Sequence, residues 1–256
     1  MTALSPIGTS NGLTRAESRP IRIGCVSYLN TRPLIEGLEK LDRVELVPRP
    51  PADLAGLLES GDVDVALVSL IDAARARTPL ALLPEGAIAS RGATLTVRLF
   101  SSVPIESITR LHADTDSHTS VALVRIILAE RFHAHPKIVP FDAREHRLLR
   151  EQSPAMKTEA SIWPESLLLI GDKVVTDAPT ANLYPHTLDL GSKWRETTGL
   201  PFVYATWMCA SERADEPNVR LARELLDRQR RHNATRLGWI AACRAREHGW
   251  QRELAD

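Results

Sequence analysis

Apolar residues along the chain form short runs that alternate with stretches of helical periodicity. The segments IRIGCVSY (21–28), VELVPRP (44–50) and VDVALVSL (63–70) read as strands, and the last has the nearly continuous apolar character of a strand buried on both faces. Between them, residues 32–41 and 51–62 carry apolar side chains at helical spacing. This β-α-β-α-β order predicts an open α/β layer with right-handed crossovers.

A second unit of alternating strands and helices begins near Ser101. A polar cluster at 114–120 precedes a predicted helix from Val121 to Phe132. Further strands are predicted at 137–142 and 200–210, and the segment 166–175 is predicted to be a strand that ends in a Gly-Asp turn. Roughly the last forty residues are expected to be helical. Their apolar stripe, among arginines, consists of Leu221, Leu225 and Leu226.

Two such units in series predict an α/β fold with two lobes around a central cleft. Extended segments at about 95–103 and 201–209 are expected to cross between the lobes. We predict that lobe 1 contains 21–100 and 204–256, and that lobe 2 contains 101–203. Because open α/β sheets bind ligands outside the carboxyl ends of their strands, the cleft is the expected site.

The composition is that of an ordinary globular protein. Of the 256 residues, 43% are hydrophobic and 25% are charged, and the formal net charge is zero. This balance gives no reason to expect nucleic acid or an anionic membrane as a partner. Three scattered cysteines are too few for a disulfide framework or a zinc site, and the histidines lack metal-ligand spacing, so no metal is expected. The sequence also lacks dinucleotide, P-loop and GxSxG motifs.

The first twenty residues differ from the rest of the chain. Residues 1–20 are rich in Ser, Thr, Gly and Pro and contain no apolar segment typical of a secretory signal. We expect this segment to be a disordered tail. No later stretch is long and apolar enough to span a bilayer. These features predict a cytoplasmic protein.

Three polar clusters accompany the predicted strands and helices. The first is Ser27–Thr31, the second is 114–120, and the third runs from Ser90 to Ser102. A single Ser, Thr, Asn or Asp before a helix is usually only an N-cap. A cap uses few of these groups, however, and hydroxyls together with the N–H groups of a helix N-terminus can bind a carboxylate. Two such sites facing each other across a cleft would suit a small dianion.

Some of these residues have a purely structural alternative. Ser90, Thr94 and Thr96 could equally form the outer face of an antiparallel strand. Asp172, in the sequence IGD, is either a turn former or a residue that faces the cleft. Spacing alone leaves both alternatives open.

A set of ordered motifs resembles the menaquinone-biosynthesis family of the futalosine pathway and, within it, the members that dehydrate chorismate. The motifs, which run from about Ile21 to Trp207, are IGCVSYLNTRPLIEGL, LAGLLESGDVDVALVSL, IASRGATLTVRLFSSVPIESI, DTDSHTSVALVRIILAERF, LLLIGD and LDLGSKWRETTGLPFVYATW. That family is similar in fold to type II periplasmic binding proteins. The resemblance therefore implies two α/β lobes joined by two crossovers, with the substrate in the cleft.

The chemistry that the resemblance implies is the dehydration of chorismate to 3-[(1-carboxyvinyl)oxy]benzoate, with no cofactor and no metal. Loss of the C3 proton and the C4 hydroxyl makes the ring aromatic, so the substrate supplies the driving force. Donors that hold the ring carboxylate would stabilise the charge that builds up as C3 loses its proton. No His or Glu in the motifs is an obvious base, so proton transfer to the enolpyruvyl carboxylate is a reasonable hypothesis.

The resemblance also implies site residues, motif by motif. Asn30 is expected to be catalytic by orienting the departing hydroxyl or the enolpyruvyl carboxylate, and Ser101 is the second catalytic candidate. Polar residues of the same motifs are expected to bind substrate: Ser27, Tyr28, Thr31, Ser69, Ser90, Thr119, Ser120 and Asp172. The sequence departs from the family pattern at Arg91, Arg98 and His118.

Two other functions stay open. One is the related enzyme that forms 1,4-dihydroxy-6-naphthoate, a reaction that calls for a larger pocket and a catalytic histidine in that family. The other is a non-catalytic carboxylate-binding protein of the same fold. The forms SYLNTRPL and GLPFVYATW favour the dehydratase, and the lack of a secretory signal counts against an exported binding protein.

Overall fold

Ten strands form two five-stranded sheets in the computed structural model, which describes residues 19–152 and 163–255. The predicted N-terminal tail, apart from its last two residues, lies outside the described residues. The strands are β1 Ile21–Cys25, β2 Val44–Pro48, β3 Val65–Ser69, β4 Leu80–Ser90, β5 Val97–Ser101, β6 Arg110–Asp114, β7 Lys137–Phe141, β8 Ser166–Ile170, β9 His186–Asp189 and β10 Phe202–Ala210.

Helices pack on both sheets and form the C-terminal region. They are α1 Arg32–Ile35, α2 Leu54–Glu59, α3 Leu70–Ala73, α4 His118–Phe132, α5 Ala143–Gln152, α6 Lys173–Thr176, α7 Leu190–Thr198, α8 Pro217–Ala234, α9 Leu237–Arg244 and α10 Arg252–Ala255. None of the helices in the described part of the chain combines the length and the apolarity that crossing a bilayer requires.

The two sheets share one topology, and each contains one strand that the chain reaches from the other lobe. The first has the order β2-β1-β3-β10-β4 and the second the order β7-β6-β8-β5-β9. In each sheet the first three strands are parallel and the fourth is antiparallel to both of its neighbours. That fourth strand is the next strand along the chain after the last strand of the other sheet, with α7 between β9 and β10, so the chain crosses at 91–96 and again at 199–201. The predicted two-lobed α/β fold with two crossovers is confirmed.

The lobe boundaries predicted from sequence fall inside strands. The division after residue 100 cuts β5, which pairs with β8 and β9 in the second sheet. The division after residue 203 cuts β10, which pairs with β3 and β4 in the first sheet. The exact partition of the chain into lobes stays a prediction.

Glycines with positive φ follow the ends of two elements. The helix predicted at 32–41 stops at Ile35, earlier than the apolar pattern indicates, because Gly37 has a φ of +89° and its backbone approaches the Gln229 amide so closely that a Cβ would lie 2.8 Å from its nitrogen. The strand predicted within 166–175 ends at Ile170, and the Gly-Asp turn expected there is present, with a φ of +67° at Gly171.

Helix α8 confirms the apolar stripe of the C-terminal region. Its side chains Val219, Ala222 and Leu226 are fully buried in the core of the first sheet, together with Trp207 of β10. Leu221 and Leu225 pack against the same core. The arginines of α8 lie on the other faces, where most pair with acidic residues of the same helix or of β4.

A buried carboxylate joins the first strand to the C-terminal region. The Asp64 side chain is fully buried, accepts two hydrogen bonds from Arg19 and one from the backbone N–H of Arg22, and contacts Arg213 at 2.8 Å. Burial alone would raise the pKa of Asp64, but Arg19, the Arg22 N–H and Arg213 together lower it below its ordinary value of 3.8.

Replacing this carboxylate is expected to destabilise the fold in a pH-dependent way. Asp64→Asn should lower the free energy of unfolding by about 2 kcal/mol at neutral pH, because it leaves two guanidinium groups without their charge partner. Because the pKa of Asp64 is lowered, the stability that it contributes is fully present above its unfolded value of 3.8 and is lost as the pH falls through the lower pKa of the folded state, so the difference from wild type should shrink below about pH 4. Urea denaturation across that range measures it.

Asp62→Asn is the matched control, because Asp62 is exposed and, among the described residues, its carboxylate bonds only to the Ser60 hydroxyl. It should change the free energy of unfolding by no more than about 0.5 kcal/mol. Equal stability of the two variants at neutral pH would contradict the role given to Asp64.

Candidate active site

A cavity of about 470 Å³ lies between the two sheets, where the crossovers pass. Its wall includes residues from β3, β4, β5, α4, β8 and β10, from the segment that follows β1 and from the crossover at 91–96. The lining residues with polar side chains are Tyr28, Asn30, Ser69, Ser90, Arg91, Thr94, Thr96, Ser117, Ser120 and Tyr204. The predicted cleft thus exists, and Tyr28, Asn30, Ser69, Ser90 and Ser120 of the predicted site residues line it.

Asn30 faces the cavity because of the short 3₁₀ turn that follows β1. The turn spans Leu29–Thr31, and its two outer residues are buried, which leaves the middle side chain exposed. The Thr31 hydroxyl donates a long hydrogen bond of 3.4 Å to Oδ1, the side-chain amide oxygen of Asn30. Among the described residues, the Asn30 amide nitrogen has no hydrogen-bond partner. Thr31 therefore orients Asn30, and the free NH₂ group is available to a ligand.

The N-terminus of α4 supplies a second group of donors. Ser117 caps the helix, and its hydroxyl oxygen accepts from the backbone N–H of Ser120 at 3.2 Å. The same hydroxyl donates to the Ser120 oxygen at 3.0 Å, which leaves the Ser120 O–H free to donate. Both side chains line the cavity at the positive end of the helix dipole. This end of the cavity favours an anion.

The crossover at 91–96 is fixed by the start of α7. The Asp189 carboxylate accepts hydrogen bonds from the backbone N–H groups of Thr94 and Leu95, at 2.9–3.1 Å, while it caps α7 through the Ser192 N–H. These bonds hold Leu95 at a φ of +58°, which is uncommon for a residue other than glycine. Asp189 therefore determines where the side chains of the crossover point.

Gly191 lets α7 approach the crossover closely. A Cβ atom at Gly191 would overlap the Gly92 carbonyl oxygen and the Thr94 methyl group, and it would lie 2.7 Å from the Ser90 hydroxyl. No side chain can occupy this position without displacing these three residues, of which Ser90 and Thr94 line the cavity. In the sequence DLG at 189–191, Asp189 thus caps α7, and Gly191 allows the helix to pack closely against the crossover.

Ser101 lies outside the cavity, so the catalytic role predicted for it is not supported. Its side chain is fully buried at the far end of β5, where the hydroxyl donates to the Val103 carbonyl oxygen at 2.7 Å. The cavity lies at the opposite end of this strand, next to Thr96 and Val97. The hydroxyl side chains of this motif that line the cavity are those of Ser90, Thr94 and Thr96.

Four other predicted residues do not line this cavity. Thr31 is buried and orients Asn30, whereas Ser27 lies in a second cavity. The Thr119 hydroxyl accepts from the Ile71 N–H across the cleft at 3.3 Å. Asp172 joins the lobes, as described below. Their predicted contacts with substrate stay predictions, but the structure gives three of them other partners.

Asp172 binds residues that are distant in sequence. Its carboxylate accepts from the backbone N–H of Leu29 at 3.1–3.2 Å and from the Trp250 indole N–H at 2.9 Å, and it lies 2.7 Å from Nδ1 of His248. Arg32 donates to the other ring nitrogen of His248, so Nδ1 carries the proton that bonds to Asp172. The second sheet is thereby tied to α1 and to the C-terminal segment.

Tyr28 separates this cavity from a larger, charged one. Its hydroxyl donates to Asp116 at 3.0 Å, and its ring covers Gly171, where a Cβ would lie 2.8 Å from the ring. Burial, with Asp116 and Asp114 adding to it, raises the pKa of Tyr28. Lys173 lies 2.6 Å from both of these carboxylates. Tyr28 is therefore a fixed, neutral phenol.

The second cavity has a volume of about 900 Å³ and a different chemical character. It is lined by His248 and by charged residues of both signs, which are Arg49, Arg144, Arg147, Asp172, Lys173, Asp177, Arg246 and Glu247. Several are already paired, such as Arg144 with Asp116 and Arg147 with Asp177. Among the site residues predicted from sequence, Ser27, Tyr28 and Asp172 border it.

Arg91 is the one charged side chain that lines the first cavity within the described part of the chain. Arg98, a second residue that departs from the family pattern, lies behind the cavity wall, 4.0 Å from Asp189. His118, the third departure, lies 2.7 Å from Asp72 across the cleft. Over residues 19–152 and 163–255, no cluster of His, Cys, Asp and Glu has the arrangement of a metal site.

Solved structures define the class to which this fold belongs. Protein AF1704 from Archaeoglobus fulgidus has a TM-score of 0.62 at 19% identity, over 93% of this chain and 86% of the other. The alkanesulfonate-binding protein SsuA from Xanthomonas axonopodis pv. citri, bound to MOPS, has a TM-score of 0.57 at 12% identity, over 94% and 83%. The chain thus has the fold of the periplasmic binding proteins, with its cavity between the lobes.

Sequence relatives narrow this class to one family. The family described as menaquinone biosynthesis matches residues 21–256. A chorismate dehydratase of Thermus thermophilus is 31% identical over 245 residues, which cover 90% of this chain and 84% of the relative. The chain belongs to the menaquinone-biosynthesis family, and the resemblance seen in its motifs is confirmed.

A methyl group at Gly191 should disturb the cavity wall. We expect Gly191→Ala to lower the free energy of unfolding by about 1–3 kcal/mol, because the crossover must move away from α7. Gly238→Ala in α9 is the control, since nothing lies within 4 Å of its added methyl group, and it should be neutral or stabilising. Thermal and urea denaturation measure both. Equal stability of the two variants would mean that the contact with the crossover is unimportant.

Proposed function

We propose that this protein is a chorismate dehydratase, a hydro-lyase that converts chorismate to 3-[(1-carboxyvinyl)oxy]benzoate and water in menaquinone biosynthesis. The similarity to the Thermus thermophilus enzyme supports the reaction. The observation that carries the proposal is the cavity between the lobes, which offers neutral donors and one arginine. A role in biosynthesis also agrees with the cytoplasmic location expected from the sequence.

The cavity suits a small dianion. Its volume of about 470 Å³ lies in the range of small-molecule sites. Chorismate has one carboxylate on the ring and one on the enolpyruvyl ether. The N-terminus of α4, with Ser117 and Ser120, would bind one of them, and Arg91 adds the positive charge that the rest of the wall lacks. Hydroxyl and amide donors would hold both groups in fixed positions.

Elimination requires removal of the C3 proton and departure of the C4 hydroxyl. Donors on the ring carboxylate would stabilise the negative charge that spreads from C3 in the transition state. The free NH₂ group of Asn30 is suited to bind the departing hydroxyl or the enolpyruvyl carboxylate. In place of Ser101, the hydroxyl side chains of Ser90, Thr94 and Thr96, which belong to the same motif, line the site.

The proton acceptor is best sought on the substrate. Within the described part of the chain, no Asp, Glu, His, Lys or Cys lines the cavity. Tyr28 is held neutral by burial and by its hydrogen bond to Asp116. The enolpyruvyl carboxylate of chorismate would therefore take the C3 proton, and the hydroxide that leaves C4 would take it up as water. The products balance the substrate without an added reactant.

Alanine variants distinguish Asn30, which lines the cavity, from Ser101, which lies outside it. Asn30→Ala should lower kcat for chorismate by about 10²–10³-fold, because it removes a donor that acts in the transition state. Ser101→Ala should be about as active as wild type, because its hydroxyl binds Val103 outside the cavity. Steady-state kinetics with chromatographic detection of the aromatic product measure both variants.

Three outcomes would contradict the proposal. Full activity of Asn30→Ala would remove Asn30 from the mechanism. Binding of chorismate without an aromatic product would indicate a carboxylate-binding protein of the same fold. Consumption of the cyclic futalosine derivative, with chorismate left unchanged, would indicate the 1,4-dihydroxy-6-naphthoate synthase.

A further inference from the structure

Two hydroxyl groups in the cavity wall, those of Ser90 and Tyr204, lie near each other and near the Thr94 hydroxyl. Both oxygens are buried, and within the described residues neither makes a hydrogen bond of acceptable geometry, with these neighbours or with any other group. Buried polar groups in native proteins are almost always paired, so an unpaired group that borders a cavity requires an explanation. A ligand that accepts from both hydroxyls would provide it.

The backbone directs Tyr204 into the wall through a β-bulge. In the pairing of β10 with β4, Val203 is opposite Ala89 and Ala205 is opposite Ile88, so Tyr204 is an extra residue without a partner. Bulges of this kind redirect side chains and are common beside active sites.

The Tyr204 ring is also fixed by packing. The ring is only 9% exposed within the core of the second lobe, and it packs edge-to-face on Phe202 with centroids 4.7 Å apart. Its strand belongs to the first sheet, so this side chain spans the interface of the two lobes. A rigid hydroxyl at such a position costs little entropy when it binds a ligand.

Both hydroxyls remain donors at neutral pH. Burial raises the pKa of Tyr204 to about 12, with a smaller rise from Asp189, and the nearby Ser90 and Thr94 offset only part of this shift. Arg91, directly after Ser90, brings a positive charge to the same part of the wall. Two neutral donors beside a guanidinium group are suited to an anionic oxygen acceptor.

We propose that Tyr204 and Ser90 together bind one carboxylate of the substrate and thereby determine its specificity. This inference rests on the proposed function, because it assigns these residues to a dicarboxylate substrate. The N-terminus of α4 would bind the other carboxylate, so the two anionic ends of the ligand would lie on opposite lobes. Neither Tyr204 nor Arg91 was among the site residues predicted from sequence.

The matched pair Tyr204→Phe and Tyr184→Phe tests the proposal, since each variant removes one buried phenolic oxygen. Tyr204→Phe should raise KM for chorismate and weaken binding of the dehydration product by about tenfold, a loss of one charge-assisted hydrogen bond. Its thermal stability without ligand should be equal to or higher than that of wild type, because the removed oxygen has no partner. Calorimetric titration and thermal denaturation give the two readouts.

Tyr184→Phe should show the opposite behaviour. The Tyr184 hydroxyl donates to the Pro164 carbonyl oxygen at 2.8 Å, away from the cavity, so its loss should lower thermal stability and leave KM unchanged.

Ser90→Ala should weaken binding as Tyr204→Phe does. If both donors hold the same carboxylate, the double variant should lose less than the sum of the two single effects.

A further experiment is independent of turnover. Benzoate should stabilise the wild-type protein more than the Tyr204→Phe variant, whereas benzamide, which carries no charge, should stabilise both equally. Unchanged binding of the product and of benzoate by Tyr204→Phe would overturn the proposal, as would a loss of stability as large as that of Tyr184→Phe. If wild type binds benzoate in this way but leaves chorismate unchanged, the carboxylate site stands and the proposed reaction fails.

Discussion

The exchange of one strand between the two sheets is the constraint on which the structure depends. Each sheet is completed by a strand, β5 or β10, that arrives from the other lobe, so both crossovers must pass through the interface. The cavity forms at this place. Asp189 fastens one crossover through backbone N–H groups, and Gly191 allows the close approach that this requires. The side chains that face a ligand are thus positioned by connections that the fold cannot omit.

The site combines neutral hydrogen-bond donors with one arginine, and this suits a substrate that carries negative charge. Hydrogen-bond donors in a desolvated cavity stabilise developing negative charge without reorganisation. An acidic residue in the wall would repel a dicarboxylate, and the described residues place none there. The acidic residues Asp114 and Asp116 lie behind Tyr28, where Lys173 compensates their charge. The protein therefore binds and orients, while aromatisation of the substrate supplies the driving force.

Much of the fold follows from the sequence, because buried parallel strands and amphipathic helices have strong periodic signals. β1, β3 and the stripe of α8 are examples. The site was harder to predict. Thr96 and Ser101 belong to one polar motif and lie at opposite ends of β5. Only the pairing of β5 within the sheet decides which end of this strand faces the cavity. Tyr204 has the pattern of an ordinary strand residue, since a bulge leaves no local signal. The partners of Asp172 are too distant in sequence to be predicted.

A crystal structure with 3-[(1-carboxyvinyl)oxy]benzoate bound tests the central claim most directly, because it locates the reaction in one of two cavities. We expect the ring to occupy the cavity between the lobes, with the Asn30 amide nitrogen and the Tyr204 hydroxyl within hydrogen-bond distance of ligand oxygens. One carboxylate should lie at the N-terminus of α4. Product bound instead among the charged side chains of the second cavity, without contact to Asn30, would contradict the mechanism.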